Sequence, residues 1–172
     1  MGNTARDRLR VTGYYPGVVG KITELHAVYY HDVWGFDISF ETQVGRELSE
    51  FMARFRQGKD GLWVAVVDER FAGSIVIDGG LASTQGARLR WFILDPRLHG
   101  QGVGGVLVAN AVDFCKRVGY PRVFLWTFRG LEAARTLYER QGFTLREEHP
   151  VHQWGAEIVE QMFALDLLAG DS

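Results

Sequence analysis

Between an apolar segment ending at Leu94 and a helical pattern opening near Val103 stands the run His99-Gly100-Gln101-Gly102-Val103-Gly104-Gly105. Residues of this type and spacing can present backbone N–H groups to an anion with no side chain in the way, and the positive end of a helix dipole falls at the same point. The chemistry offered is a phosphate cradle. Gly100, Gly102 and Gly105 satisfy G-x-G-x-x-G, but no acidic residue closes the following strand, which ends Leu125-Trp126-Thr127, so the dinucleotide reading lacks its ribose ligand. No Lys-Ser or Lys-Thr pair follows the glycines, which removes a triphosphate loop with its magnesium.

The elements that must position this loop follow from periodicity. Leu9 and Val11 suggest a short first strand, Pro16-Gly17 turns the chain into a helix over about 18–30, and Ser39 is read as the cap of a second helix stopped by Gly58. Leu62–Asp68 and Phe71–Asp78 read as a hairpin across Glu69-Arg70, and Leu89–Leu94 as the strand before the glycines. The helix that the run opens carries Val103, Leu107, Ala111 and Phe114 to Gly119. A buried strand over Arg122–Thr127, a helix over about Leu131–Gln141, and a closing hairpin of Phe143–Glu148 with Val159–Leu167 complete the pattern. The expectation is a single α/β domain over residues 1–172, a mixed sheet with helices on both faces and the loop where strand direction changes.

Composition narrows the partners. With 172 residues, 47% of them hydrophobic, the chain has material for one substantial core. A formal net charge of -2 and the lack of a basic run argue against nucleic acid, and no apolar stretch approaches the roughly 20 residues that span a bilayer. The single cysteine, Cys115, reads as an inert buried thiol, and a start without a long apolar core fits a reducing cytoplasm. His149 and His152 alone make a poor metal site, so none is expected.

Two ordered motifs carry a family likeness. Leu94-Asp95-Pro96-Arg97-Leu98-His99-Gly100-Gln101-Gly102-Val103-Gly104 resembles the acetyl-CoA pyrophosphate loop of the GNAT N-acetyltransferases, and Ala134-Arg135-Thr136-Leu137-Tyr138-Glu139-Arg140-Gln141-Gly142-Phe143 is similar to the A-x-x-L-Y-x-x-x-G-F helix that follows it there. Further segments, Leu89-Arg90-Trp91, Leu125-Trp126-Thr127, Glu148-His149-Pro150-Val151-His152-Gln153-Trp154-Gly155 and Gln161-Met162-Phe163-Ala164-Leu165-Asp166-Leu167, resemble the acetyltransferase half of proteins that fuse a MarR-type winged helix to such a domain.

The resemblance implies a mostly antiparallel sheet of about six to seven strands and direct acetyl transfer from acetyl-CoA to a primary amine of a small molecule, amino acid or protein. The other reading is a non-catalytic acyl-CoA sensor or partner module. It further implies that the backbone at Phe92 and Leu94 holds the pantetheine arm, that His99, Gly100, Gln101, Gly102, Val103, Gly104 and Gly105 hold the pyrophosphate, and that Tyr138 supplies the proton for the departing thiolate. The family usually has Arg or Gln where His99 stands, a loss of charge for which Arg97 is the nearest compensation, and often Asn where Leu131 stands. Outward alternation on the strand before the loop presents Arg88 and Arg90, neither a base. The candidate bases are Glu24, His26 and Tyr30 on the first helix and Glu147, Glu148 and His152 on the closing hairpin, His26 and Glu148 foremost, with a water chain as the alternative; Tyr30, on the same helix face as His26, and Trp126 also stand beside the acceptor. Arg90 is the candidate fork for a carboxylate on the acceptor, the alternative being a surface ion pair. Trp91, Trp126 and Trp154 read as core or rim packing, with an apolar cleft wall as the alternative. An apolar C-terminal β-ribbon suggests a homodimer.

Overall fold

The computed structural model describes residues 2–168; residue 1 and residues 169–172, the ends of the expected domain, lie outside the described residues. A 3-10 turn at Ala5–Arg8 leads into β1 (Leu9–Thr12), followed by α1 (Val18–Trp34), α2 (Ile38–Ala53), β2 (Gly61–Val67), β3 (Arg70–Asp78) and β4 (Ala87–Leu94). After a second 3-10 turn at Pro96–Leu98 come α3 (Val103–Val118), β5 (Arg122–Phe128), α4 (Glu132–Arg140), β6 (Thr144–Gln153) and β7 (Ala156–Asp166). The seven strands form one sheet in the order β1-β2-β3-β4-β5-β7-β6. Every neighbouring pair is antiparallel except β4 with β5. The expected mixed, mostly antiparallel architecture is observed.

Strand alternation sends side chains to two cores. On one face Val18 and Ile22 of α1 and Leu48 and Phe51 of α2 cover Leu62, Val64, Val66 and Val76. On the other, α3 lays Val103, Leu107, Val108 and Ala111 over Ala65, Ile75, Ile77, Leu89, Val123 and Leu125, and Tyr138, Phe143 and Phe163 close that core. Fully burying each such Leu, Ile or Phe contributes about 1.5–3 kcal/mol, so both helical layers are held chiefly by apolar contact with the sheet.

Local chemistry moved several boundaries. The cap of α2 is Asp37, whose carboxylate accepts the Ser39 N–H at 2.9 Å, two residues before the expected cap. That helix ends at Ala53 rather than at Gly58, and Asp60 then gathers the following turn by accepting the amides of Arg56 and Gly79 at 2.9 and 2.8 Å. The first hairpin turns on Asp68-Glu69, both at positive φ as a tight two-residue turn requires, so Arg70 belongs to β3. The closing hairpin is longer than expected. It turns at Trp154-Gly155, and its middle is polar because β6 is the sheet edge and faces solvent on both sides. Arg146, Glu147, Glu148 and Pro150 occupy that edge, features that blunt strand-to-strand pairing, so the ribbon is not the apolar one read from the sequence.

Candidate active site

The parallel pair that joins the two halves of the sheet is barely a pair. β4 and β5 are in register only at Ala87 with Val123 and Arg88 with Phe124, and beyond that they part. From Leu89 to Leu94 the β5-facing edge of β4 therefore has no ladder partner, and Phe92 and Leu94 lie on this open stretch. A bulge helps to turn the strand: Trp91 takes a φ of 45°, the β3–β4 register shifts between Ser74 and Val76, and the Ser74 hydroxyl donates to the Trp91 carbonyl at 2.9 Å.

A cleft of about 1440 Å³ fills the gap and runs to the start of α3. The cap of α3 is Gly102, at φ 86°, and the first helical bond closes from Val106 N–H to the Gly102 carbonyl at 3.3 Å. The amides of Val103, Gly104 and Gly105 are thereby left without partners inside the helix. His99, Gly100, Gly102, Gly104 and Gly105 line the cleft. The glycines have separate duties. At Gly104 a Cβ would meet Leu137 Cδ1 at 2.9 Å and Phe92 Cζ at 3.4 Å, so this residue lets α4 and β4 close upon the helix start. Gly102 instead supplies the left-handed cap, with Arg6 packed over it: a Cβ there would lie 3.1 Å from Arg6 Cδ. The Gln101 side chain is structural, accepting the Ala5 N–H at 3.0 Å and donating to the Arg97 carbonyl at 3.2 Å.

This arrangement corrects the expected charge compensation. Arg97 is bound to Asp95 at 2.7 Å and does not line the cleft. The cation beside the loop is Arg6, which lines the cleft and makes no ion pair among the described residues. Nothing local in the sequence announces it, because the bond between Ala5 and Gln101 that brings it there spans 96 positions.

Tyr138 lines the cleft from α4, buried, its ring packed on Phe92 and Phe143 at centroid distances of 5.8 and 5.9 Å. Burial pushes its ionisation well above the ordinary phenol range, so the hydroxyl keeps its proton. His26 and Tyr30 face the cleft from α1. The His26 Nδ1 bonds the Ile22 carbonyl at 2.8 Å, and burial lowers its pKa to about 4, against the opposing pull of that carbonyl. The imidazole is neutral at pH 7, with Nδ1–H donating and the Nε2 lone pair left over. Tyr30 packs among Phe36, Phe40 and Phe128 at 5.1–5.7 Å. Trp91, Trp126 and Trp154 all line the cleft while also packing, Trp91 on Phe51 and Trp154 on Phe36 and Phe40.

Other expected residues are placed differently. Glu148 is not part of the cleft lining: Arg129 and Gln161 bond its two oxygens at 2.7 and 2.9 Å, and these contacts, the Gln161 bond foremost, hold its carboxyl below the usual range. Arg90 is already paired, with Glu47 at 2.9 Å and Asp78 at 3.3 Å, and stacks over Trp91 at 4.0 Å. Burial alone would raise Asp78, but its bonds to Arg54 and the Gly80 amide, with both guanidiniums nearby, hold it lower. The cleft instead brings in carboxylates that periodicity did not single out, Glu47, Asp113, Glu132 and Glu160. Cys115 is buried, as expected, and desolvation pushes its thiol up to about 12. Among the described residues no three His, Cys, Asp or Glu gather in a way that could hold a metal ion, and no helix is long and apolar enough to cross a membrane.

Comparison with known proteins agrees with this geometry. Residues 21–143 match the model of the acetyltransferase (GNAT) family. An uncharacterised N-acetyltransferase of Methanocaldococcus jannaschii is 24% identical over 124 residues, covering 70% of this chain and 55% of that protein. Among solved structures, a GNAT-family acetyltransferase from Staphylococcus aureus superposes with a TM-score of 0.74 at 14% identity, over 92% of this chain and 99% of that one. The Salmonella typhimurium protein yncA, described as a putative acetyltransferase with its cofactor acetyl-CoA, gives a TM-score of 0.66 at 15% identity, over 96% and 97%.

Proposed function

The chain belongs to the GNAT family of acetyltransferases, and from that membership we propose that it transfers an acetyl group from acetyl-CoA directly to a primary amine. The observation that carries the reading is the continuity of one cleft, from the unpaired amides opening α3, along the unpartnered edge of β4, to the buried phenol of Tyr138. The residues fit the coenzyme. The α3 amides and the Arg6 guanidinium suit a diphosphate, and the free edge of β4 at Phe92 and Leu94 suits the amides of a pantetheine arm. When bound, acetyl-CoA supplies an activated thioester whose sulfur leaves as a thiolate.

Within that frame the chain orients and stabilises. Tyr138 donates a hydrogen bond from a hydroxyl that burial keeps protonated, at the place where thiolate charge develops. The aromatic wall of Tyr30, Trp91 and Trp126 limits water around the acceptor, and the acceptor ammonium gives its proton to water at the cleft mouth, so that the nitrogen attacks as a free amine. Within the family we place the chain beside the acetyltransferase half of MarR-type fusions, on the sequence segments quoted above alone.

The test joins a coenzyme A titration to a screen of amines for thiol release from acetyl-CoA. Binding together with amine-dependent release supports a transferase; tight binding with no release from a broad panel leaves an acyl-CoA sensor. The position of Arg6 gives a separate expectation. Arg6→Ala should weaken coenzyme A by roughly three- to tenfold, as a single half-screened phosphate contact does, and the loss should shrink as salt is raised. Equal affinity at low salt removes Arg6 from the cradle.

A further inference from the structure

Of the two arginines that β4 turns toward the α1–α2 side of the cleft, one is consumed by the protein and the other is not. Arg90 takes both Glu47 and Asp78, and Asp78 is also held by Arg54 at 2.8 Å. Glu160, the remaining carboxylate near Arg88, lies 3.2 Å from the His149 Nε2. Arg88 itself makes no ion pair among the described residues, and its Nε is buried with no hydrogen-bond partner. Burial lowers its pKa only to about 10, with Arg90 adding to the drop, so the guanidinium stays charged. A half-buried cation that lines a cleft without a counter-ion is an unfilled binding group.

Its place in the fold says what would fill it. Arg88 is the last residue at which β4 and β5 remain paired, so it marks the closed end of the opening between them. It stands six residues before Leu94, the end nearest the α3 amides. At strand rise that separation is roughly 20 Å, too far for the same diphosphate to reach both. The anion at Arg88 therefore enters with the acceptor. Resting on the acetyltransferase reading above, we propose that the acceptor is a small amine bearing a carboxylate, of the amino-acid class, and that Arg88 binds that carboxylate as the specificity-determining residue. In an α-amino acid a single carbon separates amine from carboxylate, so seating the carboxylate at the closed end also sets the nitrogen there, where the thioester end of an arm lying along β4 arrives.

The experiment measures kcat/KM by thiol release for free L-amino acids, the matching amino amides and dipeptides with the same N-terminal residue, in wild type, Arg88→Met and Arg88→Lys. Wild type is expected to favour the free acid over the amide and dipeptide by roughly 30-fold or more, because a site with an unpaired guanidinium discriminates against a ligand that leaves it so. In Arg88→Met that ratio should fall toward one, mostly through KM, with Arg88→Lys between the two. Comparing ratios across variants cancels the intrinsic basicity of each amine. A wild type indifferent to the carboxylate, or a Met variant that keeps the preference, overturns the inference while amine-dependent release leaves the transferase reading standing. Should the Met variant fail to fold by its melting curve, the Lys variant decides by the same ratio. If no amine releases thiol, the transferase reading falls, and calorimetry with N-acetyl amino acids and their amides, in the presence of coenzyme A, decides on Arg88. Acid-selective binding lost in Arg88→Met supports the inference; equal binding of acids and amides overturns it.

Discussion

Tyr138→Phe should bind coenzyme A as tightly as wild type and lose at least about tenfold in kcat, a conservative floor beneath the roughly hundredfold or more that a positioned proton donor contributes. The substitution removes one oxygen and leaves the ring, so the packing on Phe92 and Phe143 that holds α4 against β4 is kept. A loss in kcat with unchanged coenzyme affinity is the signature of a contact made as charge develops on sulfur, whereas a structural tyrosine would show its removal in the melting temperature. The pH profile adds a second readout. Because burial raises the Tyr138 ionisation far above the ordinary phenol value, activity should show no decline from its deprotonation up to about pH 10. Unchanged turnover in the Phe variant removes Tyr138 from the mechanism and returns it to the core.

How far the sequence reached depended on whether a residue's role was local. The start of α3 was legible because glycines, the preceding Asp95-Pro96 and the apolar period all lie within one window, and the same holds for α4 with Tyr138 and for the first hairpin. The long closing hairpin was half hidden: strands are recognised by alternation, and β6, solvated on both faces at the sheet edge, has none. The arginines show the limit most sharply. Alternation correctly turned Arg88 and Arg90 to one face, but which of them is free depends on Asp78 from β3 and Glu47 from α2, partners that only the folded sheet assembles. Arg90 is the one those partners occupy, the ion-pair alternative weighed for it. Arg6 and Arg97 repeat the lesson at the glycine loop, where the sequence neighbour is paired with Asp95 and the distant residue arrives over Gly102. Glu148 likewise sits on an element expected to border the acceptor, yet its bonds to Arg129 and Gln161 hold it outside the cleft lining.

Acidification should destabilise the protein by about 3 kcal/mol through His26 alone, and His26→Phe should abolish that part of the loss. The sign follows from the two states. In the unfolded chain the imidazole takes a proton near its ordinary value of 6.5, whereas in the fold burial holds it neutral down to about 4. Below about pH 6.5 the unfolded state therefore binds more protons than the native one, and stability falls until the native imidazole also charges near pH 4; above 6.5 the contribution is constant. The window lies above the ordinary range of the carboxylates that the fold holds low, Asp78 and Glu148 among them, whose own losses come at lower pH. Urea midpoints of wild type and His26→Phe at pH 7.0, 5.5 and 4.5 separate the two effects. Phenylalanine keeps the ring beside Tyr30, 6.2 Å between centroids, and the Ile22 carbonyl it leaves still lies within the α1 ladder, so the variant should fold. A Phe variant that loses stability between pH 6.5 and 4.5 as steeply as wild type would show that the buried imidazole is not the proton sink.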